Sequence, residues 1–308
     1  MTGFLARAVV DFDASRQWDD GDALPSQLPA ELGPFRLDKS PNADLYFRDV
    51  YCIDDDRLAH REVDWDYPKS AVYLDTNMEV PNRRELADCA DRHFHGFELL
   101  LRLFQSGAVT VRRFSFPIGE GRGDGFSLLV FGNPVKSKVA TSYKRSPYLF
   151  NEATLTVFQE FFSLYWGTLD SLCPSVNRAL TRFSTSYERR ELVDRLVDLV
   201  IALEALFNVG GAGSVTSKIS TRCAAWLYPP GDQRESLTRF VKDVYEYRSA
   251  AVHGRGERKM PTADDLDRLE QVARISLLKF LDHQLIHGRR PSPEELDEMK
   301  MQGSSCAN

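Results

Sequence analysis

The chain has 308 residues, 43% of them hydrophobic and 27% charged, and its formal net charge at pH 7 is −6. This composition is typical of a folded globular protein and argues against a largely disordered chain. No apolar stretch approaches the roughly 18 residues that would predict a membrane span, and the first residues lack the pattern of a signal peptide. We therefore expect neither a membrane anchor nor a membrane partner.

The cysteines do not form pairs of the kind that bind zinc or build a disulfide framework. There are five of them, an odd number, and no two stand in a C-x-x-C motif. Isolated thiols are typical of proteins in a reducing compartment, so the sequence predicts a cytoplasmic location.

The negative charge is concentrated near the start of the chain. Residues 1–70 contain 15 acidic and 8 basic residues, whereas the remainder contains 30 acidic and 31 basic ones. The later part of the chain is thus close to neutral, and a nucleic-acid partner is not excluded, although no strongly basic stripe indicates one.

Residues 1–150 predict a mixed α/β domain, because short segments rich in β-branched and aromatic residues alternate with turn-forming residues. One segment differs, since apolar residues recur at helical spacing over Arg84–Phe104 and predict a helix there. No motif indicates the role of this domain, and we consider it a candidate sensor or ligand-binding domain. The predicted strands are Phe4–Asp13, Asp44–Ile53, Ser70–Asp75, Val109–Ile118 and Phe126–Phe131, with a glycine-rich hairpin loop at Gly119–Gly125.

From residue 151 the pattern changes to long helical runs, and residues 151–290 predict an all-α bundle. The whole chain is therefore expected to be an α+β protein, with a polar and loose tail over residues 291–308. Leu199–Phe207 is apolar on nearly every side, which indicates a helix buried in the bundle. Thr262 and Asp265 are placed to form a capping box at the start of the last helix. The predicted helices are Leu155–Leu169, Val176–Phe183, Arg190–Phe207, Ser217–Tyr228, Arg234–Val252 and Ala263–His287.

The predicted helix Arg234–Val252 ends close to an arginine and a histidine, Arg248 and His253. Two residues five positions apart in a helix point in directions that differ by about 140°. The two side chains therefore converge only if the helix bends near Gly254. The helix macrodipole would favour a protonated imidazole at this end. Metal-free cleavage of RNA requires such a proton-transferring group and a cation on the phosphate. A solvated arginine beside a helix-end histidine is the alternative interpretation, because R-x4-H is a common pattern.

Glu204 is the only charged residue in the last nine residues of the predicted helix Arg190–Phe207. A buried carboxylate needs a partner, because desolvating an isolated charge costs several kcal/mol. Arg248 and Arg222 are the candidate partners, and an ion pair would fix the geometry of the arginine. Alternatively, Glu204 lies at an edge of the bundle and is hydrated.

The second part of the chain contains several motifs in a defined order. They are Arg182-Phe183, Asp194, Leu196–Phe207, Ser217-Lys218-Ile219, Arg222 with Ala224, Tyr245, Arg248-Ser249 and Val252-His253-Gly254. Over residues 175–290 this succession resembles the Apea-like group of the HEPN superfamily. The resemblance does not extend to residues 1–150.

The resemblance implies a helical bundle that forms a homodimer, and many HEPN proteins are metal-independent endoribonucleases that act as toxins or in antiviral defence. It implies that Arg248 binds the scissile phosphate and that His253 is the general acid or base. Ser249, Glu204, Arg222 and Tyr245 would be supporting residues. Other members are non-catalytic dimerisation or binding modules, and that alternative stays open.

Two further groups of residues have side chains of the kind that bind RNA or metal ions. Arg255, Arg258 and Lys259 could contact the phosphate backbone of RNA, or form an ordinary exposed loop. His93 and His95 are two residues apart on a predicted helix and therefore point to different sides, so we expect no metal site there. The expected partner is RNA, no cofactor is expected, and a ligand or protein partner of residues 1–150 remains open.

Overall fold

The structure is a computed structural model that describes residues 3–11, 30–39, 71–79, 83–115, 148, 150–189, 191–210, 213–252 and 261–301. These residues form two compact units, one ending at residue 167 and the other running on from residue 168. The predicted strands Asp44–Ile53 and Phe126–Phe131, and the predicted loop Gly119–Gly125, lie outside the described residues.

The first unit contains an antiparallel sheet with five strands in its described part, in the order β2-β3-β4-β1-β5. β1 and β4 pair along their whole length, with Gly3 opposite Glu79 and Asp11 opposite Ala71. Three of the predicted strands, those beginning near residues 4, 70 and 109, agree with β1, β4 and β5. The strands are β1 (Gly3–Asp11), β2 (Ala30–Leu32), β3 (Phe35–Lys39), β4 (Ala71–Glu79) and β5 (Thr110–Ser115).

Strands β2 and β3 form a hairpin that the sequence analysis missed. Phe35 and Leu37 are fully buried, whereas Arg36 between them is exposed, which is the period of two expected for a strand with one face on a core. The turn contains Gly33 at φ +56°, and a Cβ added there would lie 3.0 Å from a ring carbon of Phe162. Glycine is therefore required at this turn for its conformation and for the close approach of Phe162.

Two helices complete the described part of the first unit, α1 (Arg83–Phe104) and α2 (Glu152–Tyr165). Both pack on the sheet and on each other. Asn151 caps α2 by accepting a hydrogen bond from the backbone of Thr154 at 3.0 Å. This helix was predicted to belong to the second part of the chain, residues 151–290, whereas it packs within the first unit. The core of the first unit is aromatic and contains the fully or almost fully buried rings of Phe35, Phe94, Phe97, Phe158 and Phe162.

The described residues of the second unit are helical apart from short connections, which agrees with the predicted all-helical second part. A 3-10 helix, Trp166–Ser171, leads into this unit. Thr262 and Asp265 form the predicted capping box, and Gly288 ends the following helix in the left-handed conformation. The α-helices are α3 (Pro174–Ser186), α4 (Leu192–Phe207), α5 (Val215–Leu227), α6 (Asp232–Val252), α7 (Ala263–His287) and α8 (Pro293–Met301).

Helix α4 packs against α3, α5, α6 and α7. Leu196, Leu199, Leu203 and Leu206 expose no surface, and a fully buried leucine contributes about 1.5–3 kcal/mol relative to an exposed one. The prediction of a buried helix is therefore confirmed. The carboxy-terminal half of α4 carries Glu204 toward α6, where the candidate site lies.

The prediction of a loose tail over residues 291–308 is wrong for Pro293–Met301, which form helix α8. The Ser292 hydroxyl accepts a hydrogen bond from the backbone N–H of Glu295 at 3.2 Å, and the Glu295 carboxylate accepts one from the backbone N–H of Ser292 at 2.6 Å. This capping box, together with Pro293, starts the helix. Leu296 is 1% exposed and anchors the helix in the core of the second unit. Among the described helices, none is both long enough and apolar enough to cross a membrane.

Candidate functional site

Near its carboxy-terminal end, helix α6 directs two polar side chains toward α4. Leu237, Val241 and Val244 are buried at spacings of four and three residues, which defines the face of α6 that packs on the bundle. Tyr245, which is 6% exposed, extends this face, and Arg248 lies one turn further along the helix. The helical periodicity thus brings Tyr245 and Arg248 to the same neighbour.

Glu204 on α4 is that neighbour. The phenolic oxygen of Tyr245 donates a hydrogen bond to Glu204 Oε1 at 3.0 Å. A guanidinium nitrogen of Arg248 lies 3.7 Å from the same oxygen, which is a charge interaction beyond the range of a direct hydrogen bond. The side chains of Arg248 and Glu204 are 34% and 23% exposed, so the pair lies at the bundle edge and contributes at most about 1 kcal/mol to stability.

Tyr245 acts here as a neutral hydrogen-bond donor. Burial raises the pKa of its phenol strongly, and the negative charge of Glu204 raises the pKa further. The hydroxyl therefore keeps its proton throughout the physiological pH range. Tyr245 can hold the carboxylate of Glu204 in place, but it cannot serve as a general base near neutral pH.

Arg248 retains hydrogen-bonding capacity that the described residues do not use. Its Nε is buried and has no hydrogen-bond partner in the described part of the chain. A guanidinium offers five N–H donors in a planar fork, and Glu204 holds this one only by a 3.7 Å charge contact. Because the side chain of Arg248 is 34% exposed, an oxyanion such as a phosphate can approach the guanidinium from the solvent.

The structure describes only part of the predicted site. Ser249 is exposed on α6 beside Arg248. His253 follows directly after Val252, the last residue of α6, and it lies outside the described residues, as do Arg255, Arg258 and Lys259. The convergence of the Arg248 and His253 side chains therefore stays a prediction.

Arg222 was a candidate partner of Glu204, and the structure places it with other acceptors. It is 1% exposed and donates to the carbonyl oxygens of Phe207 and Val209 at 2.8 and 2.5 Å, which satisfies the end of α4. It also forms a two-bond pair with Asp297 of α8, with both distances 2.8 Å. Arg222 therefore fixes the end of the helix that carries Glu204 and does not contact the carboxylate itself.

A second carboxylate of α4, Asp198, was not singled out by the sequence analysis. It is 2% exposed, and it accepts hydrogen bonds from Arg182 at 3.0 Å and from Arg189 at 2.5 Å. The hydrogen bond to Asp198 is the largest influence on Arg189 and raises the pKa of its guanidinium. The available signal was a charged residue in the middle of an apolar helix, since such a residue requires a partner of opposite charge.

A third buried polar group joins α4 to α7. Arg195 and Arg274 both bind the carboxylate of Glu270, and Tyr187 donates to the same carboxylate at 2.8 Å. Burial lowers the pKa of Arg195, although the charge of Glu270 opposes this effect. These residues lie inside the unit and are 9% exposed or less, so they stabilise the fold and do not form a surface site.

Among the described residues, His93 is not part of a metal site of three or more ligands. Its Nδ1 lies 2.8 Å from the carbonyl oxygen of Cys89 within α1, and His95 is exposed. Within the described residues, no group of three or more His, Cys, Asp or Glu side chains is arranged to hold a metal ion.

Comparisons of the chain with protein-family models, with curated proteins and with solved structures found no match. What the chain itself provides is a partly exposed arginine side chain beside a carboxylate, four residues before the end of a bundle helix. Such a group can either bind an external oxyanion or simply join two helices, and these two uses lead to different functions.

Proposed function

We propose that the chain is a metal-independent endoribonuclease of the HEPN type, in which Arg248 binds the scissile phosphate. The observation that carries the proposal is the state of Arg248, whose side chain is one-third exposed and whose guanidinium is held beside Glu204 by a charge contact of 3.7 Å. Arg222, by contrast, is 1% exposed and donates to a backbone carbonyl oxygen and to Asp297.

The reaction requires no metal ion. The 2′-hydroxyl oxygen attacks the adjacent phosphorus, its proton passes to a base, and the bond from phosphorus to the 5′-oxygen breaks as that oxygen gains a proton. The products carry a 2′,3′-cyclic phosphate and a 5′-hydroxyl. His253 is the proposed general acid or base, and Arg248 would stabilise the negative charge that develops on the phosphate oxygens.

The supporting residues would act through Arg248. Tyr245 keeps Glu204 in place by the 3.0 Å hydrogen bond, and Glu204 in turn limits the positions of the guanidinium. Arg222 donates to the carbonyl oxygens of Phe207 and Val209 and so fixes the end of α4. Ser249 is exposed next to Arg248 and would donate a hydrogen bond to the phosphate. Arg255, Arg258 and Lys259 remain proposed contacts to the RNA backbone.

The biological setting follows from the resemblance alone. The active form would be a homodimer in which the two copies form one RNA-binding cleft, and the activity would serve as a toxin or in anti-phage defence in the cytoplasm. The first unit would then recognise a signal or a partner.

The test is cleavage of RNA by the purified full-length chain in the presence of EDTA. Arg248→Ala and His253→Ala should each reduce the rate by about 10²–10⁴-fold, the usual contribution of a general acid–base group or a charge-stabilising donor. Arg239→Ala is the matched control, because Arg239 is an exposed arginine on the same helix. Undiminished cleavage by both alanine variants would remove these residues from the mechanism.

One observation favours a different function, a non-catalytic dimerisation or binding module. The contacts of Tyr245 and Arg248 with Glu204 also connect α6 to α4, as a purely structural ion pair would. This alternative requires that the chain cleaves no RNA and that Arg248→Ala lowers the stability of the protein or dissociates it. A melting curve of that variant, measured beside the cleavage assay, separates the two functions.

A further inference from the structure

Two histidines stand together at the carboxy-terminal end of α7, in the second unit. His283 and His287 are four residues apart, and their ring centroids are 4.3 Å apart. Residues at this spacing lie one above the other on a single face of a helix. His287 is the last residue of α7 and is exposed, whereas His283 is half-buried beside Trp226.

The end of the helix fixes the hydrogen on one of the two rings. Gly288 takes the left-handed conformation with φ +68° and turns the chain back. The carbonyl oxygen of Arg289 then lies 2.9 Å from His283 Nδ1. Because a carbonyl oxygen can only accept, Nδ1 carries the hydrogen, and the neutral ring keeps its lone pair on Nε2. A carbonyl behind Nδ1 is the arrangement that orients histidines when Nε2 binds a metal ion.

The local charges permit a cation at this position. The carboxy-terminal end of a helix carries the negative end of its dipole. Arg289 is the nearest positive side chain in sequence, and Glu295 neutralises it through hydrogen bonds of 2.8 and 2.7 Å. Lys279, one turn before His283, opposes cation binding, but its amino group is held 3.0 Å from the carbonyl oxygen of Trp226.

We infer that His283 and His287 form a chelating site for a divalent transition-metal ion such as Zn²⁺, Ni²⁺ or Cu²⁺. Imidazole nitrogen is a preferred ligand of these ions, whereas Mg²⁺ and Ca²⁺ prefer oxygen. Two histidines at positions i and i+4 also provide the paired ligands of metal-binding helices with the H-E-x-x-H pattern. Since no group of three ligands exists in the described part of the chain, water molecules complete the coordination. The site is distinct from Arg248 and does not depend on the proposed nuclease activity.

The test uses the full-length chain after dialysis against EDTA and then into chelator-free buffer. Titration with ZnCl₂ in a calorimeter should give saturable binding with a dissociation constant below about 1 mM. In a second titration, CuSO₄ should quench the fluorescence of Trp226, whose ring centroid is 6.1 Å from that of His283. The Trp226→Phe variant should lose this quenching and still bind Zn²⁺.

His287→Ala is the decisive variant, because the side chain is exposed and its removal should not affect folding. It should weaken Zn²⁺ binding at least roughly tenfold, and His283→Ala should do the same. His95→Ala, which removes an exposed histidine of the first unit, should leave the affinity unchanged. Wild-type affinity in both His287→Ala and His283→Ala would overturn the assignment, and so would the absence of saturable binding by the wild-type chain.

Discussion

The hydroxyl of Tyr245 on α6 donates a 3.0 Å hydrogen bond to the carboxylate of Glu204 on α4. This bond joins two helices and at the same time determines where the negative charge beside Arg248 is placed. The contribution of Tyr245 to stability and the proposed contribution of Arg248 to RNA cleavage can therefore be measured separately.

Tyr245→Phe should lower the free energy of unfolding by about 1 kcal/mol, because it removes one hydrogen bond to a partly exposed carboxylate. The phenyl ring would still fill the same space. Urea unfolding followed by circular dichroism provides the measurement. Tyr247→Phe is the matched control. Tyr247 lies on the same helix and is half-buried, but it is not part of the hydrogen bond between Tyr245 and Glu204. An equal effect of the two substitutions would show that the hydrogen bond is not important for stability.

Arg248→Ala and Glu204→Gln should show a coupling energy below about 1 kcal/mol in a double-mutant cycle of stability. The reason is the 3.7 Å separation of the charges and the partial exposure of both side chains. If the proposed nuclease activity is correct, the same Arg248→Ala variant loses cleavage while remaining folded. A coupling of several kcal/mol would instead favour the structural role of the pair.

Asp198→Asn should destabilise the protein by about 2–3 kcal/mol, because it weakens two charge-assisted hydrogen bonds to a buried carboxylate. Arg182 and Arg189 are 42% and 40% exposed in their side chains, so water would hydrate them after the change and limit the loss. The midpoint of chemical denaturation is the quantity to compare. Asp194→Asn, an exposed change one turn earlier on α4, should alter it by less than about 0.5 kcal/mol.

The free energy of unfolding should fall in acid, because Asp297 then becomes protonated. Hydrogen bonds from Arg222, which outweigh the effect of burial, hold the pKa of the Asp297 carboxyl well below its usual range. A carboxyl whose pKa is lower in the folded state stabilises the fold above the pKa of the unfolded state, and this contribution is lost as the pH falls below about 4.

Melting temperatures of the wild type and of Asp297→Asn, measured between pH 6 and pH 3, would test this. The wild type should be the more stable protein at the upper end, and the difference should shrink as the pH falls. Glu298→Gln on the exposed side of α8 is the control, and a difference that does not depend on pH would contradict the prediction. Glu295, whose pKa its hydrogen bond with Arg289 lowers to about 2, remains unchanged in both variants.

Local signals in the sequence were sufficient for most helices of the second unit. The capping box of Thr262 and Asp265 and the left-handed Gly288 define both ends of α7, and both can be recognised from short sequence patterns. Helix α8 has such a pattern too, in Ser292 and Glu295. It was overlooked because the segment is polar and Leu296 is its one fully buried residue among those described.

The contacts between distant residues could not be predicted in the same way. The hairpin of β2 and β3 has only three residues in its first strand and obtains its stability from packing on β4 and α2. For Arg222, the sequence predicted Glu204 as a candidate partner. The actual partner, Asp297, is 75 residues away in sequence and belongs to a segment predicted to be loose. For Glu204, by contrast, one of the two candidate partners does make the contact.

The dependence of Arg222 on Asp297 has a consequence for biosynthesis. At the usual 5–20 residues per second, the ribosome needs roughly 4–15 s to add the 75 residues between them. During that time Arg222 can bind the carbonyl oxygens at the end of α4, but Asp297 has not yet been synthesised. The second unit therefore reaches its final packing only after Asp297 has been synthesised, 75 residues later than Arg222.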